Sequence, residues 1–190
     1  MSEQGGRYQR SFEGLIGAII VTVLGVVAFV VFRGFFSDPP EQDVPDVDLA
    51  AEVLNLQQNG ADLVYPATLP EGWKATRVEP TPATRDQGPR YDINLFTRDD
   101  EFVGIRQADQ DAAAMLADAG VDDVRTADPL TGVGDLAPTW DGWSDPDGDH
   151  AFTASLGEET VLVYGAVDPD ELADVVARLT TAPLPTASPS

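Results

Sequence analysis

The 190-residue chain contains no cysteine, only one histidine, His150, and only one lysine, Lys74. The absence of cysteine excludes disulfides, thiol nucleophiles and a lipid carried on an N-terminal cysteine. A single histidine excludes histidine-rich metal sites, and no pattern places it in a Ser-His-Asp triad. These absences exclude thiol chemistry, histidine-rich metal sites and a Ser-His-Asp triad.

The common catalytic and nucleotide-binding motifs are also missing. No G-x-S-x-G, H-E-x-x-H, Walker or dinucleotide-binding pattern occurs in the sequence. The 33 acidic residues offer many carboxylate pairs suited to acid–base or glycosidic chemistry, but no spacing selects one of them. We therefore predict no catalytic residue, no metal ligand and no cofactor.

What the chain does contain is one long apolar run near its start. Residues 15–32 (LIGAIIVTVLGVVAFVVF) carry no charge. A helix of these eighteen residues is about 27 Å long, close to the roughly 30 Å hydrocarbon core of a bilayer. Arg33 can reach toward the headgroups, which lets Gly34, Phe35 and Phe36 extend the span. The run predicts a transmembrane helix over residues 15–36, with the lipid bilayer as its partner.

Two other interpretations of this run fit less well. A cleaved signal peptide has an apolar core of about 7–15 residues followed by a small-x-small cleavage site, and residues 32–36 (FRGFF) contain no such site. A buried helix of a globular domain would need partners with equally long apolar faces, which the rest of the sequence lacks. We expect an uncleaved, single-pass anchor.

The distribution of charge predicts the topology of the anchor. Arg7 and Arg10 precede the span, whereas Arg33, near the end of the span, is the only basic residue between residue 15 and Lys74. This bias predicts a cytoplasmic N-terminus at residues 1–14 and an extracytoplasmic remainder in the cell membrane. Residues 38–190 hold eight basic and 31 acidic residues, a net charge of −23, so nucleic acid is excluded as a partner.

Composition divides the remainder into three parts. Residues 37–45 (SDPPEQDVP) are rich in proline and acid, which indicates an extended linker. Residues 182–190 (APLPTASPS) are too poor in apolar side chains to fold and are expected to form a disordered tail. The folded extracytoplasmic domain is predicted between residues 46 and 181.

Alternating apolar residues predict two β-hairpins in this domain. The first lies within residues 90–107, with a turn at 98–100, and the second joins residues 151–156 to 160–167. A further strand is expected at residues 73–78 and a helix at 46–58, where Val47, Ala50, Ala51 and Leu54 share a face. The C-terminal helix should begin with a capping box at Asp168.

The two hairpins and the segments that follow them align after a shift of 59 residues, which raises the possibility of a duplicated ββα unit. Coincidence is the alternative. In either case the order of elements predicts an α+β fold, with an antiparallel sheet and helices packed on one face.

Several short segments together resemble a known family. They are residues 7–12 (RYQRSF) before the span, residues 69–73 (LPEGW), the strand at 102–104 (FVG) and the capped C-terminal helix. The chain resembles an actinobacterial family of single-pass membrane proteins catalogued as domain of unknown function number four thousand two hundred forty-five. The resemblance covers nearly all of the chain except the tail. It implies a tethered, extracytoplasmic α+β domain and supplies no catalytic residue.

Two local patterns are candidate sites. Asp145, Asp147 and Asp149 alternate as at the start of a calcium loop. However, the glycine falls at the fourth place of the loop, and Leu156 stands where a bidentate glutamate belongs, so a solvated turn is favoured.

Trp140 and Trp143 are the candidate ligand-binding residues. They would form an exposed aromatic platform for sugars or peptides, although one core ring and one ring covering a turn is the alternative.

Three classes of function remain open. The first is a binding or interaction module of the cell envelope, whose partner is an envelope protein or a cell-wall component; the sequence favours this class. The second is an accessory subunit whose span packs against another membrane protein through small residues such as Gly14, Gly17 and Ala18. The third is a carboxylate-dependent envelope hydrolase, which no selected residue pair supports.

Overall fold

The computed structural model describes residues 46–121 and 123–185. The predicted cytoplasmic N-terminus, the predicted span and the linker lie outside these residues. In the described part of the chain, no helix is long and apolar enough to cross a membrane. The elements in chain order are α1 (Leu49–Gln58), β1 (Tyr65–Pro66), β2 (Lys74–Thr81), β3 (Arg90–Phe96), β4 (Phe102–Ala108), α2 (Ala112–Asp118), β5 (Arg125–Thr131), β6 (Thr139–Ser144), β7 (His150–Leu156), β8 (Glu159–Gly165), α3 (Pro169–Ala177) and β9 (Leu179–Thr180).

Seven strands form one antiparallel sheet in the order β2-β3-β4-β8-β7-β6-β5. The two predicted hairpins, β3-β4 and β7-β8, are confirmed, and β4 pairs with β8 so that Ile105 faces Val163. The remaining short strands, β1 and β9, pair with each other in a separate two-stranded sheet. The predicted α+β class is therefore confirmed.

The two faces of the seven-stranded sheet carry different side chains. Face A is the side of Ile93, Ile105 and Val163, and it forms the larger apolar core together with α1 and α3. Face B is the opposite side, to which Leu162 belongs, and it forms a smaller core with Met115 and Leu116 of α2. Helices therefore pack on both faces of the sheet, and each face has its own apolar core.

This arrangement corrects the prediction that all helices pack on one face. If the chain held two copies of a ββα unit, the antiparallel pairing of β4 with β8 would relate them by a twofold axis perpendicular to the sheet. Such an axis maps each face of the sheet onto itself, so the two helices would share a face. The observed helices α2 and α3 lie on opposite faces. The fold therefore does not support the suggested duplication.

The helices also differ in detail from the sequence prediction. Helix α1 begins only at Leu49, after the N-cap Asp48, and its buried residue is Val53 rather than a member of the predicted face. Helix α3 starts after Asp168 with Pro169 in its first turn, as expected, but the Asp168 side chain makes no capping hydrogen bond. Its residues Leu172, Val175 and Val176 are fully buried on face A.

The folded part continues beyond residue 181. The Tyr65 hydroxyl donates a hydrogen bond of 2.6 Å to the carbonyl of Ala182. The backbone N–H of Leu184 donates to Gln57 Oε1 at 2.8 Å, and the Leu184 side chain packs against the main core. The start of the expected tail is therefore attached to α1 and β1.

Candidate binding surfaces

A groove lies between the start of α1, the segment around β1 and the start of β2. Its volume is about 230 Å³, and its apolar lining includes Val47, Leu49, Leu69, Trp73 and Leu184. All five side chains are only partly buried. We call this feature the Trp73 groove. Concave, mostly apolar surfaces with a few polar groups are the usual places where proteins bind ligands and partners.

A turn before β2 places Trp73 in the groove. The Trp73 N–H donates to the carbonyl of Pro70 at 3.1 Å, which closes a turn before β2. Gly72 in this turn has φ +83°, a left-handed conformation that favours glycine, and an added Cβ would lie 2.9 Å from Arg98 Nε. The segment Pro70 to Trp73 thus forms a tight turn that places Trp73 at the groove.

Tyr65 forms one wall of the groove and is 4% exposed. Burial raises the pKa of the Tyr65 hydroxyl, and the hydrogen bond with Gln57 opposes this shift only in part. The hydroxyl therefore stays protonated and continues to donate to Ala182 at neutral pH. This bond holds residues 182–184, including Leu184 of the lining, beside the groove.

A buried amide fixes the backbone that leads into this wall. Gln107 of β4 is 3% exposed, and its Oε1 accepts a hydrogen bond of 2.6 Å from the N–H of Val64. Its Nε2 donates to the carbonyl of Asp62 at 3.0 Å and to Glu159 Oε2 at 2.7 Å. The side chain therefore ties residues 62–64 to the sheet through both ends of its amide.

The rim of the groove is acidic. Asp46 and Asp48 line it and are exposed, and Asp48 Oδ1 accepts the capping hydrogen bond from Ala51 N at 3.1 Å. Lys74 also lines the rim, but its Nζ lies 3.5 Å from Asp100 Oδ1. Because that ion pair balances the lysine charge, the two aspartates leave a local surplus of negative charge.

A second surface lies on face B of β3, β4 and β8. The rings of Phe96 and Phe102 are 5.9 Å apart and those of Phe102 and Tyr164 are 5.7 Å apart, both edge to face. Beside them, Arg106 Nε lies 2.6 Å from Asp92 Oδ1. Burial raises the pKa of Tyr164, and the positive charge of Arg106 partly opposes this rise. The surface is a half-buried aromatic row next to an ion pair.

The structure separates the two candidate tryptophans, so the expectation of a shared platform is corrected. Both lie on β6, and because side chains alternate along a strand, positions 140 and 143 point to opposite faces. Trp140 is 0% exposed in the face A core. Trp143 is partly buried on face B, where its Nε1 donates to Thr153 Oγ1 at 2.8 Å. Of these two tryptophans, only Trp143 has its ring near the surface.

The aspartate loop before β7 is organised as a turn. Asp145 Oδ1 accepts three backbone hydrogen bonds of 2.9 Å, from the N–H groups of Asp147, Gly148 and Asp149. Burial, followed by repulsion from Asp145 and Asp147, raises the pKa of Asp149. Across residues 46–121 and 123–185, no group of three or more His, Asp or Glu side chains is placed to hold a metal ion.

Sequence reasoning missed the Trp73 groove as a site. Its lining comes from residues 46–50, 65–69, 73–75 and 184, which are far apart along the chain. The segment 69–73 carries the family resemblance and leads into a strand, but nothing in its sequence marks it as part of a binding surface.

Together these features define a class: a small α+β domain with a two-sided antiparallel sheet and open, partly apolar surfaces. The sequence matches the family described as Protein of unknown function (DUF4245) over residues 7–179. The chain belongs to this family, and the resemblance in the sequence is thereby confirmed at the level of the family.

No curated protein matches the chain. Among solved structures, the complex of Pseudomonas aeruginosa MucA/MucB is similar, with 16% sequence identity and a TM-score of 0.35. The match covers 62% of this chain and 34% of that chain.

Proposed function

We propose that this protein is a single-pass membrane protein of an actinobacterial cell envelope whose extracytoplasmic domain binds a partner or ligand there. The anchor is residues 15–36, with residues 1–14 in the cytoplasm. Its support is the length of the uncharged apolar run and the basic residues on its N-terminal side. Retention in the membrane fraction after alkaline carbonate extraction tests the anchor.

The observation that carries the binding role is the Trp73 groove. Five partly buried apolar side chains line a concave surface of about 230 Å³, next to acidic side chains. Such surfaces are more typical of recognition than of packing within one domain. The candidate partners are an envelope protein or a cell-wall component.

Trp143 is proposed as an additional ligand contact on face B. Its ring is partly buried and lies on the same side of the sheet as Tyr164. Quenching of tryptophan emission by soluble cell-wall fragments, lost in Trp143→Phe, supports this contact. Quenching that is unchanged in this variant contradicts it.

Site-specific crosslinking in cells tests the binding role. A photoreactive phenylalanine analogue replaces Leu69 in the groove, and the control carries it at Arg125, which is exposed on the edge strand β5. We expect a discrete adduct from position 69 and none from position 125. Equal yields from both positions would contradict the proposal that the groove is the binding surface.

The accessory-subunit alternative has one specific observation in its favour. Small residues of the span, such as Gly17, Ala18 and Thr22, recur near helical spacing, and small residues let membrane helices approach closely. The same analogue placed at Thr22 distinguishes the two roles. Adducts from position 22 without adducts from position 69 favour a subunit that docks through its span.

A further inference from the structure

We propose that the Trp73 groove binds one or two apolar side chains of a basic polypeptide segment from a partner protein. This inference rests on the proposed function, because it specifies the partner of the same site. It commits to a polypeptide, and a lipid chain becomes an outcome of the test.

The size of the groove favours side chains over a whole small molecule. Sites for complete small ligands usually enclose about 300–1,000 Å³. The groove is smaller, about 230 Å³. Its lining is apolar at Leu49, Leu69 and Trp73, so an inserted apolar side chain would remove water from both partners.

The charge around the groove favours a basic segment. Asp46 and Asp48 contribute two carboxylates to the rim, whereas the charge of Lys74 is balanced by Asp100. Residues 38–190 carry a net charge of −23, so the field of the rest of the domain has the same sign as the rim. Complementary charge speeds association and suppresses partners of the same sign. Fatty-acid anions and acidic polymers are therefore disfavoured both by the charge of the rim and by the net charge of the domain.

The test uses the full chain in nanodiscs of phosphatidylcholine, which has no net charge and so does not attract basic peptides. Three capped hexapeptides serve as probes: K-K-L-L-K-K, E-E-L-L-E-E and K-K-G-G-K-K. We expect calorimetric binding only for the first, accompanied by a change in tryptophan emission that is lost in Trp73→Phe. Equal binding of the glycine peptide would contradict a role of the apolar lining.

Two pairs of variants separate the groove from the overall acidity. Asp46→Asn with Asp48→Asn removes the rim charges and keeps a residue suited to capping at position 48. The control, Asp86→Asn with Asp128→Asn, changes the net charge equally at exposed positions outside the groove lining. We expect about fivefold weaker binding of K-K-L-L-K-K for the rim pair. The control pair should change binding by less than about twofold, because distant exposed charges are screened.

An apolar pair completes the design. Leu69→Gln should weaken binding by about fivefold, because it removes apolar contact area from the groove. Leu130→Gln, a partly buried leucine on β5, is the matched control and should leave binding unchanged. Equal effects of the rim and control pairs, or of the two leucine variants, overturn the inference.

A lipid occupant and a failed anchor give different results. Binding of dodecanoate that is lost in Leu69→Gln, together with no binding of K-K-L-L-K-K, would identify a lipid chain as the occupant. That result would overturn this inference. Loss of the protein from the membrane fraction would overturn the proposed function, whereas a failure confined to the peptides leaves the anchor in place and overturns only this inference.

Discussion

Replacing Gln107 by leucine tests how the wall of the Trp73 groove is held. The Gln107 amide is the hydrogen-bond partner of the Val64 N–H, and Val64 is 1% exposed. In Gln107→Leu this N–H loses its acceptor in a place that water does not reach. Because β1 follows directly after Val64, the loss should loosen the wall that contains Tyr65.

The expected cost follows from the contacts. An unpaired buried N–H costs about 1–3 kcal/mol, and each of the two bonds donated by the Gln107 amide adds about 0.5–1.5 kcal/mol. Burial of the leucine side chain offsets part of this loss, and the groups at Asp62 and Glu159 can bond to water instead. We expect a net local destabilisation of about 2 kcal/mol, which is roughly thirtyfold in an opening equilibrium.

Hydrogen exchange of the full chain, read by mass spectrometry on the peptide that contains Val64, measures this opening. The control is Gln58→Leu, an exposed residue of α1. Exchange in Gln107→Leu should be faster by about thirtyfold and in the control unchanged. Exchange that is equally slow in both variants would refute the reasoning that Gln107 secures this segment.

Gln107→Glu adds a pH test. The amide nitrogen lies 2.7 Å from Glu159 Oε2, so the introduced carboxyl faces a carboxylate and its folded-state pKa should be raised. A raised folded-state pKa means that the folded state binds the extra proton, so stability is present at acidic pH and is lost as the pH rises toward neutrality. The melting temperature relative to the parent should therefore fall between pH 4 and pH 7.

Three further predictions concern the remainder of the fold. A Cβ added at Gly104 would overlap the Tyr164 ring, so Gly104→Ala should cost about 1–3 kcal/mol in urea unfolding, and less in combination with Tyr164→Ala. Trp140→Ala should cost about 3–5 kcal/mol, because the ring is fully buried, and a loss below about 1 kcal/mol would contradict its place in the core. Burial, and then repulsion from Asp145, raises the pKa of Asp149 in the folded state. Ionisation of Asp149 therefore destabilises the folded state at pH values above the ordinary pKa of an aspartate. Asp149→Asn should therefore raise the melting temperature at pH 7, and this advantage should shrink as the pH falls toward 4.

The elements that could be predicted depend on local patterns. Alternation at Tyr91, Ile93 and Leu95 identifies β3, and its partner strand follows after a short turn, so the hairpin is specified within one segment. The signal for the start of α3 is likewise local, because Asp168 and Pro169 stand before an apolar stripe. Such signals need no knowledge of distant parts of the chain.

The candidate site could not be predicted in the same way. The groove combines Val47, Trp73 and Leu184, which no spacing rule connects. Trp140 and Trp143 lie on opposite faces because β6 is a strand, whereas the Asp-Gly pair between them is typical of a turn. The side of the sheet on which α2 packs has no local signal at all.

Cysteine accessibility tests most directly the central claim, that a membrane anchor holds the folded domain outside the cytoplasm. Because the chain has no cysteine, Ser2→Cys and Asp86→Cys each introduce a unique label, and residue 86 is exposed in the folded domain. A membrane-impermeant maleimide applied to intact cells should label Asp86→Cys at once and Ser2→Cys only after permeabilisation. The reverse pattern, or protection of both positions in intact cells, would contradict the claim.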